Sequence, residues 1–225
     1  MGEKAHLVTQ NLIGAVRWAI EAPHTVIKED KGGDGKTTWS EKALQDLSDT
    51  LNRIPGDFPE AARRGVEFEK KVYAVANNDS IGGSIHFQKV CSEVKGFSFG
   101  KKGGITKDIE GYKCYLYAKY DAVKEKDKEI TFIKDIKTTG SYKKNKYVKG
   151  VQHKLYCYIT KCKDFEYIIA EWDEYPKIKD IHIEKFRVNN FDLLELEINR
   201  EIIECFEAIK EFGLWEAYRE KYCLY

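Results

Sequence analysis

Apolar residues recur at helical spacing over 7–21 (LVTQNLIGAVRWAIE), 39–53 (WSEKALQDLSDTLNR), 60–77 (EAARRGVEFEKKVYAVAN) and 192–221, and this spacing predicts an amphipathic helix over each stretch. Ser40 is the expected N-cap of the second helix. Residues 28–37 carry three glycines and read as a loop; Pro55 and Pro59 interrupt the chain before the third helix. In the middle of the sequence the period changes to two. Residues 84–98, 112–123 and 129–138 are predicted as strands, and the polar KEKDK turn makes the last two an antiparallel hairpin. VQHKLYCYITK (151–161) suits a short helix, and FEYIIAEW (165–172) and IHIEKFRV (181–188) suit two further strands. The order of helices, three strands, helix, two strands and closing helix predicts one α/β domain over residues 1–225, a central mixed β-sheet flanked by helices.

Composition narrows the class. At 225 residues, 42% hydrophobic and 33% charged, the chain can bury one sizeable core. No apolar run approaches the roughly 20 residues needed to cross a bilayer. The opening MGEKAHLVTQ lacks the apolar centre of a signal peptide, and His6 stands where a myristoylation signal wants Ser or Thr, so a cytoplasmic protein without membrane attachment is expected. Six cysteines form no CxxC pair, which argues against zinc or iron–sulfur ligation and for buried free thiols. The net charge of +1, from 38 basic and 37 acidic side chains, lacks the excess common in nucleic-acid binders. A nucleic-acid partner would therefore require the cations to gather on one surface. GGDGKTT (32–38) has the look of a phosphate loop, but Asp30 occupies the place of its first glycine.

The candidate chemistry lies in Asp135-Ile136-Lys137. On a strand, residues two apart share a face, so Asp135 and Lys137 project together. A carboxylate can bind a hard cation, and a lysine beside it can orient a water or steady phosphate charge. Acid-x-Lys recurs at Glu29/Lys31, Asp34/Lys36, Glu69/Lys71 and Glu93/Lys95, but only Asp135 ends an apolar strand whose hairpin partner also carries an acid, Asp121. With an odd-numbered loop centred near Asp127, Asp121 is expected opposite Ile133 and on the same face as Asp135, roughly 7 Å away along the ladder. A slip of one residue would place it on the other face.

The hairpin YDAV…FIKDIKT resembles the core of the PD-(D/E)XK nucleases, in particular their RecB-like and lambda-type phage exonuclease branch. Gly65-Val66-Glu67-Phe68-Glu69 resembles that family's first-helix motif, and Gln152-His153-Lys154-Leu155-Tyr156 its Q-x-x-x-Y helix. The four motifs fall in the family's order within about residues 60–175, with Lys119 where many relatives carry glycine; the N-terminal helices (7–53) and the C-terminal helix (about 192–221) lie outside them. The resemblance implies a restriction-endonuclease-like core and a metal-dependent nuclease, exonuclease-like, acting on DNA in phage recombination or repair. It implies that Asp121 and Asp135 bind Mg²⁺ or Mn²⁺, with Glu69 and the Ile136 carbonyl as further ligands. Lys137 would assist the attacking water, and Gln152 and Tyr156 would hold the substrate or the lysine. Lys143, Lys144 and Lys146, which follow the catalytic strand, and Arg63 and Arg64 on the Glu69 helix are candidate phosphate contacts. Self-association and a single-strand-annealing or recombination partner are compatible with this reading. The alternative is a catalytically inactive nucleic-acid-binding or regulatory protein on the same fold.

Overall fold

A computed structural model describes residues 4–28, 33–54, 59–78 and 81–224. The opening Met-Gly, Asp30 and Gly32 of the glycine-rich segment, and Pro55 lie outside the described residues. In chain order the elements are β1 (Ala5–Thr9), α1 (Gln10–Glu21), α2 (Trp39–Leu51), α3 (Glu60–Val75), α4 (Ile85–Glu93), β2 (Ser98–Phe99), β3 (Lys102–Ile109), β4 (Tyr112–Lys119), β5 (Ala122–Lys126), β6 (Glu129–Thr139), α5 (Gln152–Thr160), β7 (Asp164–Glu174), β8 (Lys177–Arg187), α6 (Phe191–Glu211), α7 (Trp215–Tyr222) and β9 (Cys223–Leu224). The class is α/β, as the pattern predicts. The strands, however, are distributed over two sheets rather than one: β3-β4-β1-β9 and β2-β5-β6-β7-β8.

The backbone groups into two compact units. The first comprises Met1–Gly56, Gly104–Tyr117 and Glu195–Tyr225. Its sheet contains the parallel pair β1/β4, and His6 packs there among Tyr112, Phe206, Trp215 and Tyr218. The second comprises Asp57–Gly103 and Ala118–Leu194. Its sheet is mixed, with β6 parallel to β7 and the other pairs antiparallel. Phe68 and Val72 of α3, Val90 and Cys91 of α4, and Ile136, Ile168 and Ala170 of the sheet share its core.

Several expectations are corrected. Residues 84–98 form α4 and then the short β2, not one strand. Ser84 caps the helix by accepting the Phe87 N–H at 3.2 Å, and Val90, Cys91 and Val94 are buried at helical offsets, whereas strict alternation would put the adjacent Val90 and Cys91 on opposite faces. The N-terminal helix begins at Gln10, because Ala5–Thr9 is a strand and Thr9 caps the helix at Leu12. The cap of α2 is Thr38, in a capping box with Glu41, rather than Ser40. The closing helix is two, broken at Gly213 with φ 70°. Residues 112–123 are two strands in different sheets. At the break the Tyr120 N–H donates to the Lys101 carbonyl at 2.8 Å, and the Asp121 carbonyl accepts from Gly100 at 3.1 Å.

The hairpin register also differs from the expected one, and its cause is specific. The loop is a two-residue turn, Asp127-Lys128, with φ of 52° and 72°, the values of a type I′ turn. By itself that turn pairs Lys126 with Glu129 and Glu125 with Ile130, a register that would put Asp121 and Asp135 on opposite faces. A bulge then intervenes: Lys124 pairs with Phe132, so Thr131 is an extra residue on β6. Beyond the bulge Val123, not Asp121, faces Ile133, and Ala122 faces Lys134. Asp121, one residue further, is level with Asp135.

Candidate active site

β6 sets the centre of the site. Asp135 and Lys137 share a face, and the Lys137 Nζ lies 2.6 Å from Asp135 Oδ2. Asp135 is fully enclosed, at 1% side-chain exposure, while Lys137 retains 28%. The second oxygen of Asp135, Oδ1, accepts a 2.6 Å hydrogen bond from Gln152 Nε2 at the start of α5.

Asp121 enters from the neighbouring chain segment. It stands in the break between β4 and β5, and its Oδ2 accepts the Ile136 N–H at 2.9 Å. Ile136 thus touches the site through its N–H, while its side chain belongs to the core. Burial holds the Asp121 carboxyl well above the usual carboxylate range, and the negative charges of Asp135 and Glu69 add to this; Lys137 and the Ile136 N–H act the other way. Burial alone would lower the Lys137 pKa, but Asp135 and Asp121 outweigh it and keep the ammonium form favoured.

Glu69 comes from α3, where Gly65 explains the helix's approach. A Cβ on Gly65 would sit 3.1 Å from Thr138 Oγ1, so the bare Cα lets α3 lie close against β6, one turn before Glu69. Glu69 Oε1 accepts the hydroxyl of Tyr73. Tyr156, one turn after Gln152, is buried with its ring edge against Tyr120 at 5.1 Å. Burial and the Asp135 charge raise its pKa, and a hydrogen bond with Gln152 opposes them.

The structure therefore brings Asp121, Asp135, Lys137, Gln152 and Tyr156 together, with the Glu69 charge felt at Asp121. Three groups that sequence reasoning missed join them. Tyr73 stands at i+4 from Glu69, a spacing that was available in the sequence. Tyr147 is half-buried beside Lys137, with its ring 5.5 Å from that of Tyr167; nothing in its loop signals this. Tyr167 lies beside the Lys137 ammonium (6.0 Å from the ring centre) and contacts His153 Nδ1 through its hydroxyl at 3.2 Å. Burial, assisted by Lys154, depresses His153 to about 4, so this ring within the Q-x-x-x-Y motif is neutral at physiological pH.

The candidate phosphate contacts divide. Arg63 and Arg64 are tied to their own helix, Arg63 to Glu60 and Glu67 and Arg64 to Glu60, with Arg64 also over the Tyr175 ring. Lys143, Lys144 and Lys146 are exposed. Their loop is anchored at Glu184 of β8, which accepts the Tyr142 hydroxyl at 3.0 Å and the Asn145 N–H at 2.7 Å. Tyr142 also stacks flat on His182 at 3.8 Å.

The fit to a divalent cation rests on donor chemistry. Asp135 Oδ2 is buried, and among the described residues it meets the Lys137 ammonium at 2.6 Å. Asp121 is destabilised as an anion by its carboxylate neighbours. Hard oxygen donors crowded in this way suit Mg²⁺ or Mn²⁺. Among the described residues no three His, Cys, Asp or Glu side chains converge as a ready-made metal array; Glu69 is engaged by Tyr73 and Asp135 by Lys137 and Gln152.

Comparison with known proteins agrees with this architecture. The chain is similar to the crystal structure of SSO0001, with a TM-score of 0.54 and 12% identity over 92% of this chain and 78% of that one. It is also similar to an alkaline exonuclease (LHK-Exo) from Laribacter hongkongensis, with a TM-score of 0.50 and 14% identity over 95% of this chain and 93% of that one. At such identities the likeness is one of fold. No protein-family model matches the sequence, and no curated protein does.

Proposed function

We propose that this protein is a Mg²⁺- or Mn²⁺-dependent deoxyribonuclease of exonuclease type. The observation that carries the reading is the convergence of Asp121 and Asp135 on the two ends of one peptide unit, with Lys137 on the same face. Asp121, Asp135 and Glu69 would hold the ion, with the Ile136 carbonyl as a further ligand. Once bound, the ion supplies Lewis-acid polarisation of the scissile phosphate and neutralises charge on the leaving oxygen. Lys137, kept as an ammonium, orients the attacking water and steadies negative charge on the phosphoryl group rather than serving as a base. Gln152 fixes the Asp135 carboxylate from behind, and Tyr156 fixes Gln152. The exposed Lys143, Lys144 and Lys146 contact the DNA backbone next to the site. DNA is the partner this reading requires. Self-association and an annealing or recombination protein are further partners, and DNA processing of this kind belongs in the cytoplasm. No helix among the described residues is long and apolar enough to cross a membrane.

The test is digestion of linear, closed circular and single-stranded DNA in Mg²⁺, Mn²⁺ or EDTA. Linear DNA should be degraded with either metal and spared in EDTA, and closed circles should survive. Lys137→Ala should lower the rate about a hundredfold or more, the scale of losing one preorganised charge donor. Degradation that is unchanged in EDTA, or by the variant, would sink the reading.

Gly65→Ala supplies an independent check of geometry. The new methyl gains up to ~1 kcal/mol of helix propensity, which offsets its pressure on Thr138, so the melting temperature should stay near wild type. Glu69, one turn on, should be displaced by a few tenths of an ångström, and cleavage should fall about tenfold. Equal losses of stability and rate would show that Gly65 serves packing alone.

A further inference from the structure

Glu69 is the weakest-held of the acidic groups at the site. Asp121 is fixed by a backbone N–H and Asp135 by Gln152 and Lys137, whereas Glu69 is a half-buried side chain with three rotatable bonds. Among the described residues its hydrogen-bond partner is Tyr73 Oη, which donates to Oε1. Residues 69 and 73 are one turn apart and share a face of α3. The Tyr73 ring is itself fixed, stacked on Phe99 of β2 at 4.6 Å and 20°. Phe99 pairs with Ala122 of β5, the residue next to Asp121. One short strand therefore locates both the ring that holds Glu69 and the segment that presents Asp121. The phenol also lies within the field of Asp121 and Asp135, and the Glu69 charge is felt in turn at Asp121.

We propose that Tyr73 is a positioning residue: its hydroxyl holds Glu69 Oε1 so that Oε2 is directed at the Asp121–Asp135 pair as the third oxygen donor for a divalent cation. The inference rests on the metal-dependent reading of the site and extends it to a residue one shell further out. Hydrogen bonds to ligating carboxylates orient them, and their loss typically weakens metal affinity about 10- to 100-fold. Removing the hydroxyl alone leaves the ring on Phe99 and the packing of α3 unchanged.

The experiment is calorimetric titration with Mn²⁺ of the wild type, Tyr73→Phe, Glu69→Gln and the double variant, with melting temperatures measured in EDTA. Tyr73→Phe should raise the Mn²⁺ Kd about tenfold with an unchanged melting temperature in EDTA. In the Glu69→Gln background the same change should have no further effect on Kd, because the phenol acts through Glu69. An unaltered Kd in Tyr73→Phe, or full additivity in the double variant, overturns the role of Tyr73 while leaving the metal site intact. A rise in Kd accompanied by a fall in melting temperature likewise overturns it, in favour of packing. Failure of the wild type itself to bind Mn²⁺ overturns the metal reading and this inference with it.

Discussion

Asp121→Asn is expected to stop cleavage and, in the absence of metal, to make the protein more stable. The carboxyl is raised by burial and by the charges of Asp135 and Glu69, so folding disfavours its ionised form. A carboxyl whose pKa is higher in the folded than in the unfolded chain favours folding at acid pH. That contribution disappears as pH rises from the unfolded value, near 3.9, through the raised folded one. At neutral pH the wild type therefore carries a penalty that asparagine removes, while its side-chain oxygen can still accept the Ile136 N–H. The gain should be about 1 kcal/mol, or ~2–4 °C in melting temperature for a chain of this size. It should shrink toward pH 4, where Asp121 of the wild type is itself protonated. Cleavage should fall at least about a thousandfold, since a ligand and its charge are both lost. The measurement is melting temperature against pH in EDTA for both proteins, with single-turnover cleavage alongside. A variant less stable than wild type at pH 7 would show that Asp121 is held by its contacts and not opposed by its neighbours.

The second large effect has the opposite sign. Asp135→Ala should abolish cleavage and also destabilise the fold. Asp135 is 1% exposed and sits 2.6 Å from the Lys137 ammonium, itself 28% exposed. Deleting the acid strands a largely enclosed cation and leaves the Gln152 amide without its acceptor. Breaking a buried ion pair from one side costs about 3–5 kcal/mol. Because Lys137 keeps some access to water, about 2–3 kcal/mol is expected, a drop of ~5–10 °C. Adding Lys137→Met should recover much of the stability and none of the activity. If the double variant melts no higher than Asp135→Ala, the loss comes from the cavity and not from the stranded charge. The two aspartates thus look alike in sequence and are energetically opposite: one is opposed by its surroundings, the other holds them together.

Much of this site was legible because its geometry follows short-range rules. Asp135 and Lys137 meet because residues two apart on a strand share a face, and Gln152 and Tyr156 because residues four apart share a helix face. Gly65 stood out as an anomaly in a helix, and the closeness of Thr138 accounts for it. What the sequence did not disclose depends on longer-range pairing. In residues 84–94 the alternation is confined to Ile85 and Phe87, while the buried Val90, Cys91 and Val94 follow helical spacing behind the Ser84 cap. The continuous tyrosine-rich run 112–123 contains no glycine or proline to mark its change of sheet at Asp121, which is decided by its hydrogen bonds to Gly100 and Lys101. The anchoring of the lysine loop to Glu184 links positions about forty residues apart and leaves no local trace. The candidate phosphate contacts Arg63 and Arg64 have acidic partners within one helical turn, pairings that the i,i+4 spacing already displays.

The bulge at Thr131 has an evolutionary and engineering corollary. The tight turn at Asp127-Lys128 gives the hairpin one parity, and the supernumerary threonine reverses it. Thr131 is exposed and its hydroxyl donates to the Lys124 carbonyl at 3.3 Å, so a substitution there costs at most one surface hydrogen bond, whereas the number of residues between the two aspartates is fixed. Single insertions or deletions between them rotate one acid out of the cleft, whereas compensated pairs restore it. The segment is thus a counting device, permissive of substitution and intolerant of odd changes in length.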